Sequence, residues 1–170
     1  EKRLVFIQAC LLWLLFVTVY DFRKRRVPNA LVLAGAALAL AAIASGSQPF
    51  GLSWTAALVG AASGFGFLLL FYATGLMGAG DVKFAGALGL WVGLPALIPI
   101  WIVASLLAGV HSVLWLVLTR WPLLPRLSLM LAGPARISDS GSSPGRVRIV
   151  PYGGYLALGA AARMVWERQS

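Results

Sequence analysis

The sequence predicts an all-α, polytopic integral membrane protein with about six transmembrane helices, formed by a single domain over residues 1–170. Hydrophobic residues make up 60% of the chain and charged residues 11%, against about 25% charged in a typical soluble domain. The apolar residues fall into six stretches: 4–20, 30–45, 54–73, 82–94, 97–118 and 151–166. Because the alternating polarity of transmembrane strands is absent, these stretches are interpreted as helices.

The six stretches differ in length. A helix needs roughly 20 apolar residues to cross the hydrocarbon of a bilayer, and three stretches meet this requirement. Two, at 30–45 and 151–166, are marginal, and the short one at 82–94 is expected to begin inside the membrane plane or to pair with its neighbour. The first stretch is not a signal peptide, because basic residues follow it and no small-residue cleavage site is present. Since the sequence begins at Glu1 without Met, we expect further residues upstream.

The basic residues predict the orientation. With six spans, one side receives ten of them and the other four, and the positive-inside rule places the larger group in the cytoplasm and both termini outside. The net charge of +9 is therefore attributed to a membrane surface and not to nucleic acid. The ten are Arg23, Lys24, Arg25, Arg26, Lys83, Arg120, Arg126, Arg136, Arg146 and Arg148; the four are Lys2, Arg3, Arg163 and Arg168.

A loop rich in Gly, Ser and Pro follows the fifth stretch, at about 133–150. Its composition predicts a flexible cytoplasmic loop. Glycines spaced four apart, Gly60 and Gly64 in the third stretch and Gly89 and Gly93 in the fourth, favour close helix packing.

Two of the five acidic residues stand at the edges of apolar stretches. Asp21 ends the first and Asp81 opens the fourth, so the predicted topology places both at one edge of the bilayer. Carboxylates near hydrocarbon are costly and often functional. The alternatives are an interfacial partner for Arg23 or Arg25 in the case of Asp21, and a helix N-cap in the case of Asp81.

Paired carboxylates offer acid–base chemistry. Two that share a site cannot both ionise easily, and such a pair can deprotonate a water and protonate a departing amide. Gly78 and Gly80, which precede Asp81 in "GAGDVK", have no side chains, so we expect a substrate backbone to approach closely there.

These motifs resemble those of the type IV prepilin peptidases, membrane aspartic proteases with a Gly-x-Gly-Asp signature. "GAGDVK" at 78–83 is similar to that signature, "DFRKRRVPN" at 21–29 to the segment of the other catalytic aspartate, and "PYGG" at 151–154 to the start of the last helix. The resemblance implies that Asp21 and Asp81 are catalytic, that no cofactor or metal is needed, and that the substrates are prepilins or pseudopilins. The compact length resembles the short members that serve tight-adherence (Flp) pilus systems. The larger members also methylate pilins through a domain with paired Cys-x-x-Cys motifs, which this chain lacks.

Several further residues are expected to support the site. Lys83 either steadies the aspartate or extends to the headgroups, and Arg23 either orients Asp21 or is a solvated charge. Pro151, Tyr152 and Gly153 are expected to open the last helix at the same face. Asn29 is expected to cap the second helix. Cys10 and His111 are each the single residue of their type, so a metal site is not expected.

The sequence thus predicts a multi-pass aspartic endopeptidase of the bacterial inner membrane, with its active site facing the cytoplasm. Partners are the lipid bilayer and the pilin substrates; the oligomeric state is left open. Three alternatives remain: a transporter that uses Asp21 and Asp81 as a proton or cation relay, a non-catalytic pilus assembly protein, and a presenilin-type protease, whose Tyr-Asp and Gly-x-Gly-Asp motifs are similar.

Overall fold

The computed structural model describes residues 1–24, 26–75, 77–120 and 150–167. These residues form five helices, which confirms the all-α prediction: α1 (Lys2–Lys24), α2 (Asn29–Ala44), α3 (Trp54–Ala73), α4 (Ala79–Arg120) and α5 (Tyr152–Glu167). Helices α1 and α3 and residues 79–118 of α4 are long and apolar enough to cross a membrane. Six transmembrane helices are not shown, since α2 and α5 have 16 residues each, which extend only about 24 Å. The predicted loop at 133–150 lies almost entirely outside the described residues.

Helix α4 contains the fourth and fifth predicted stretches and is broken between them. Gly93 adopts φ 71° and ψ 171°, a backbone conformation that only glycine enters readily. Before Gly93, Gly60 of α3 contacts Gly89 and Gly64 contacts Ala85, so residue numbers in α4 fall as those in α3 rise. After Gly93, Gly64 contacts Leu97 and Phe67 contacts Trp101, so residue numbers rise in both. The chain therefore reverses at Gly93, so that 79–92 runs antiparallel to α3 and 94–120 runs parallel to it.

A buried glutamine stabilises the reversal. The carbonyl of Trp91 has no intrahelical donor four residues later, because Pro95 lacks an N–H. Gln48, which is 4% exposed, donates its Nε2 to this carbonyl over 2.8 Å. Its Oε1 accepts from the N–H groups of Phe50 (2.7 Å) and Leu52 (2.9 Å). One side chain thus connects the α2–α3 loop to the break in α4.

Glycines allow the backbones of α3 and α4 to touch, as the spacing predicts. A Cβ on Gly60 would lie 2.5 Å from the Gly89 carbonyl oxygen, and one on Gly64 would lie 2.5 Å from that of Ala85. No side chain fits at either position, and close backbone approach of this kind is the usual means by which helices pack within lipid.

Helix α5 packs between α1 and the second segment of α4, antiparallel to α1. Met164, near its end, contacts Cys10, whereas Gly154, near its start, contacts Asp21. The start of α5 therefore lies at the end of the bundle that holds Asp21, which we call the aspartate end. At the opposite end, Arg3 and Arg163 line a cavity of about 560 Å³.

Candidate active site

The two aspartates meet at the aspartate end. Asp21 lies in the last turn of α1 and Asp81 is the third residue of α4; both side chains are 0% exposed. A Cβ on Gly153 would lie 2.9 Å from Oδ1 of Asp81 and 3.3 Å from Oδ2 of Asp21. These two oxygens are therefore at most about 6.2 Å apart, the sum of 2.9 and 3.3 Å, which is close enough for one water to reach both carboxylates.

The first turn of α5 holds Asp21. Pro151, which is buried, directly precedes this helix. The first three residues of the helix are Tyr152, Gly153 and Gly154. Their N–H groups have no acceptor within the helix, and the N–H of Gly154 donates to Oδ2 of Asp21 over 2.8 Å. Because α4 and α5 both direct their N-termini toward the carboxylates, the positive ends of two helix dipoles converge on the site.

Gly80 and Gly153 let the α1–α2 connection pack over the aspartates. A Cβ on Gly80 would lie 3.1 Å from the carbonyl oxygen of Val27, and one on Gly153 would lie 3.0 Å from Cγ2 of Val27. Val27 itself is 6% exposed. The protein's own backbone thus occupies the space beside the Gly80 Cα in this conformation, and the expected approach of a substrate backbone at this glycine stays a prediction.

One of three comparisons with known proteins found a match. The model of the type IV leader peptidase family matches residues 8–113, which include both aspartates. The chain belongs to this family. No curated protein and no solved structure matches it.

The capping prediction for Asn29 is wrong, and Asp81, for which an N-cap was the structural alternative, does not occupy the cap position either. Asp81 is the third residue of α4 and lies inside the first turn, after Gly78, whose carbonyl accepts the Asp81 N–H over 3.1 Å. Asn29 is the first residue of α2 and makes no capping bond; Pro28 occupies the cap position. The Asn29 Oδ1 instead accepts from Nζ of Lys83 over 3.3 Å, which joins the starts of α2 and α4 beside the site.

Pro151, Tyr152 and Gly153 lie at the aspartate end, as expected. The hydrogen-bond partner of the Tyr152 side chain is a residue other than the two aspartates. The Tyr152 hydroxyl is hydrogen-bonded to Ser105 over 3.2 Å. Arg23 is exposed and lies two residues after Asp21 on α1, a spacing that puts side chains on different faces of a helix. Arg23 is therefore not placed to orient Asp21.

Three aromatic residues beside the candidate site were not predicted. The rings of Phe22 and Tyr155 contact edge to face, with centroids 5.5 Å apart. The Tyr155 hydroxyl and Nδ1 of His111 are 2.6 Å apart. The sequence could have indicated Phe22 and Tyr155, because each directly follows a predicted motif residue, Asp21 and Gly154. It gave no indication of His111, which lies alone in an apolar stretch.

The residues described by the structure contain no group of three or more His, Cys, Asp or Glu side chains arranged to hold a metal ion. The catalytic role of Asp21 and Asp81 stays a prediction that requires an activity measurement.

Proposed function

We propose that this chain is a membrane aspartic endopeptidase that removes the short basic leader from prepilins or pseudopilins. The observation that carries the proposal is the meeting of two buried carboxylates, from helices far apart in the sequence, at the first turn of α5. Membership of the type IV leader peptidase family supports the substrate class.

The two carboxylates fit the hydrolysis of a peptide bond. One accepts a proton from a water as the water oxygen attacks the scissile carbonyl carbon, and the other, protonated, donates a proton to the departing amide nitrogen as the C–N bond breaks. The hydrogen bond from Gly154 to Oδ2 holds the Asp21 carboxylate in one orientation during these steps. Only the substrate and one water are consumed.

The position of the site fits a substrate that crosses the membrane surface. We propose six spans: α1, α2, α3, the two segments of α4, and α5. The basic residues then put the aspartate end in the cytoplasm of a bacterial cell. A prepilin carries a basic leader in the cytoplasm and an apolar helix in the bilayer, so the bond between them lies at the depth of Asp21 and Asp81.

The test is co-expression with a candidate prepilin, with leader removal read as a mobility shift on a gel. Asp21→Asn and Asp81→Asn retain side-chain shape but cannot exchange the catalytic proton. Each alone is expected to abolish cleavage, because acid and base act as one unit and their losses do not add. Asp139→Asn serves as the control aspartate and should cleave normally, and a metal chelator should have no effect.

The rival functions give different results in the same test. A proton or cation relay usually places its carboxylates near the bilayer midplane, whereas both aspartates lie within the terminal turns of their helices. Wild-type processing by either Asn variant would overturn the two-aspartate mechanism. Absence of cleavage by the unmodified chain with every prepilin of its own genome would instead support a non-catalytic assembly protein.

A further inference from the structure

We infer that Tyr155 and His111 are positioning residues for Asp21, acting through Phe22 and Gly154. The inference rests on the proposed function, since it concerns the orientation of a catalytic carboxylate. It assigns a role to the single histidine of the chain and to a tyrosine, neither of which belongs to the three sequence motifs.

The argument starts at Asp21. Its Oδ2 accepts the Gly154 N–H over 2.8 Å, so the direction of the carboxylate depends on where the first turn of α5 lies. Phe22 sets that position: a Cβ on Gly154 would lie 2.6 Å from Cε2 of the Phe22 ring. The ring therefore packs directly on the backbone that donates to Asp21.

The next contact fixes the ring. Tyr155 meets Phe22 edge to face at an interplanar angle of 86°, and its own ring also packs against the His111 imidazole at 5.9 Å between centroids. The hydrogen bond of 2.6 Å between the Tyr155 hydroxyl and Nδ1 of His111 holds the phenol ring in this position. His111 lies on the second segment of α4, so three helices are joined around one carboxylate.

This arrangement separates positioning from substrate contact. Tyr155 is 8% exposed and its hydroxyl lies 2.6 Å from Nδ1 of His111, so a bound substrate is expected not to touch this hydroxyl. Loss of the hydroxyl should therefore lower kcat and leave KM unchanged. The loss of one neutral hydrogen bond corresponds to a decrease in kcat of about three- to tenfold.

The experiment is a double-mutant cycle on purified enzyme with a prepilin substrate. Tyr155→Phe and His111→Leu each remove the same hydrogen bond, so each should lower kcat about three- to tenfold, and the double variant should be no slower than either single variant. His111→Asn presents a polar atom close to the place of Nδ1 and should recover most of the activity. Tyr72→Phe, which removes an exposed hydroxyl at the end of α3, is the matched control.

The outcomes distinguish this inference from the proposed function. Wild-type kcat for Tyr155→Phe, with Asp21→Asn inactive, would overturn the positioning role and leave the peptidase intact. Additive losses in the double variant would also overturn it. If the variants reduced only the yield of folded protein, with kcat per folded molecule unchanged, the pair would be structural. Cleavage by Asp21→Asn would overturn both proposals.

Discussion

The backbone N–H of Gly154 donates to Oδ2 of Asp21 across 2.8 Å, although the two residues lie 133 positions apart. The preceding residue, Gly153, lies against both catalytic candidates. The last helix described by the structure therefore joins α1 and α4 at the point where the reaction is proposed to occur.

Gly153→Ala should abolish the proposed prepilin cleavage without unfolding the protein. Its methyl group would lie 2.9 Å from Oδ1 of Asp81 and 3.3 Å from Oδ2 of Asp21, so the Asp81 carboxylate must shift from its present position. A displacement of about 1 Å can lower the rate about a hundredfold. Prepilin cleavage per folded molecule is the measurement.

The matched control for this substitution is Gly159→Ala in the same helix. The nearest atom to its methyl group would be 3.5 Å away, the carbonyl oxygen of Ile100. It should retain normal cleavage; equal loss in both variants would show that α5 tolerates no added methyl group and that proximity to the aspartates is not the cause.

Gln48→Leu should destabilise the fold. It removes the donor to the buried Trp91 carbonyl and the acceptor of two half-buried N–H groups, and the loss of these partners should lower the free energy of unfolding by about 2–4 kcal/mol. Denaturant titration in detergent measures this. Gln8→Leu, on an exposed face of α1, is the control; a similar loss there would contradict the explanation.

Gly93→Ala should also lower the free energy of unfolding. Its φ of 71° and ψ of 171° cost a residue with a Cβ about 1–3 kcal/mol, and the methyl would lie 3.0 Å from Leu52. Gly109→Ala, where no atom lies within 4 Å, should be neutral or stabilise by up to about 1 kcal/mol. Both glycines lie in α4, so the difference between the two changes in the free energy of unfolding measures the cost of a side chain at the reversal.

Cysteine pairs test the reversal directly. In a Cys10→Ser background, cysteines at Phe67 and Trp101, whose rings stack at 4.6 Å, should cross-link within one chain, as detected by mass spectrometry. A pair at Phe67 and Val113 should not, because Val113 lies about 18 Å farther along the helix. A straight α4 would leave both pairs unlinked.

Single cysteines test the proposed orientation in the same background. A membrane-impermeant maleimide added to intact cells should label Ser45→Cys, at the end of α2, and not Lys24→Cys, at the aspartate end. Labelling of Lys24→Cys alone would place the aspartates outside the cytoplasm and contradict the proposed route of the leader.

Sequence predicted the elements whose physical signal is local. Apolar length gave the helices, and the glycine spacing gave the α3–α4 contact, because both depend on neighbouring residues. The juxtaposition of Asp21 and Asp81 was predicted from their shared depth. The cap of α2 was misjudged, because the helix begins at Asn29 itself, one residue earlier than a cap at Asn29 requires, and Pro28 takes the cap position.

What sequence did not predict depends on contacts between distant residues. Gln48 compensates for the absent N–H of Pro95, and nothing in the neighbourhood of either residue indicates the other. The same holds for His111 and Tyr155, which lie 44 positions apart. Such pairs become visible only when the helices have been placed.

The location of α5 has a consequence for biosynthesis. This helix lies beyond the stretch matched by the family model and is the last of the described helices to leave the ribosome. Both aspartates are therefore made before the turn that joins them. A nascent chain therefore carries a separated pair of aspartates throughout translation of residues 82–151, and the two come together with the first turn of α5 only when this helix docks between α1 and α4.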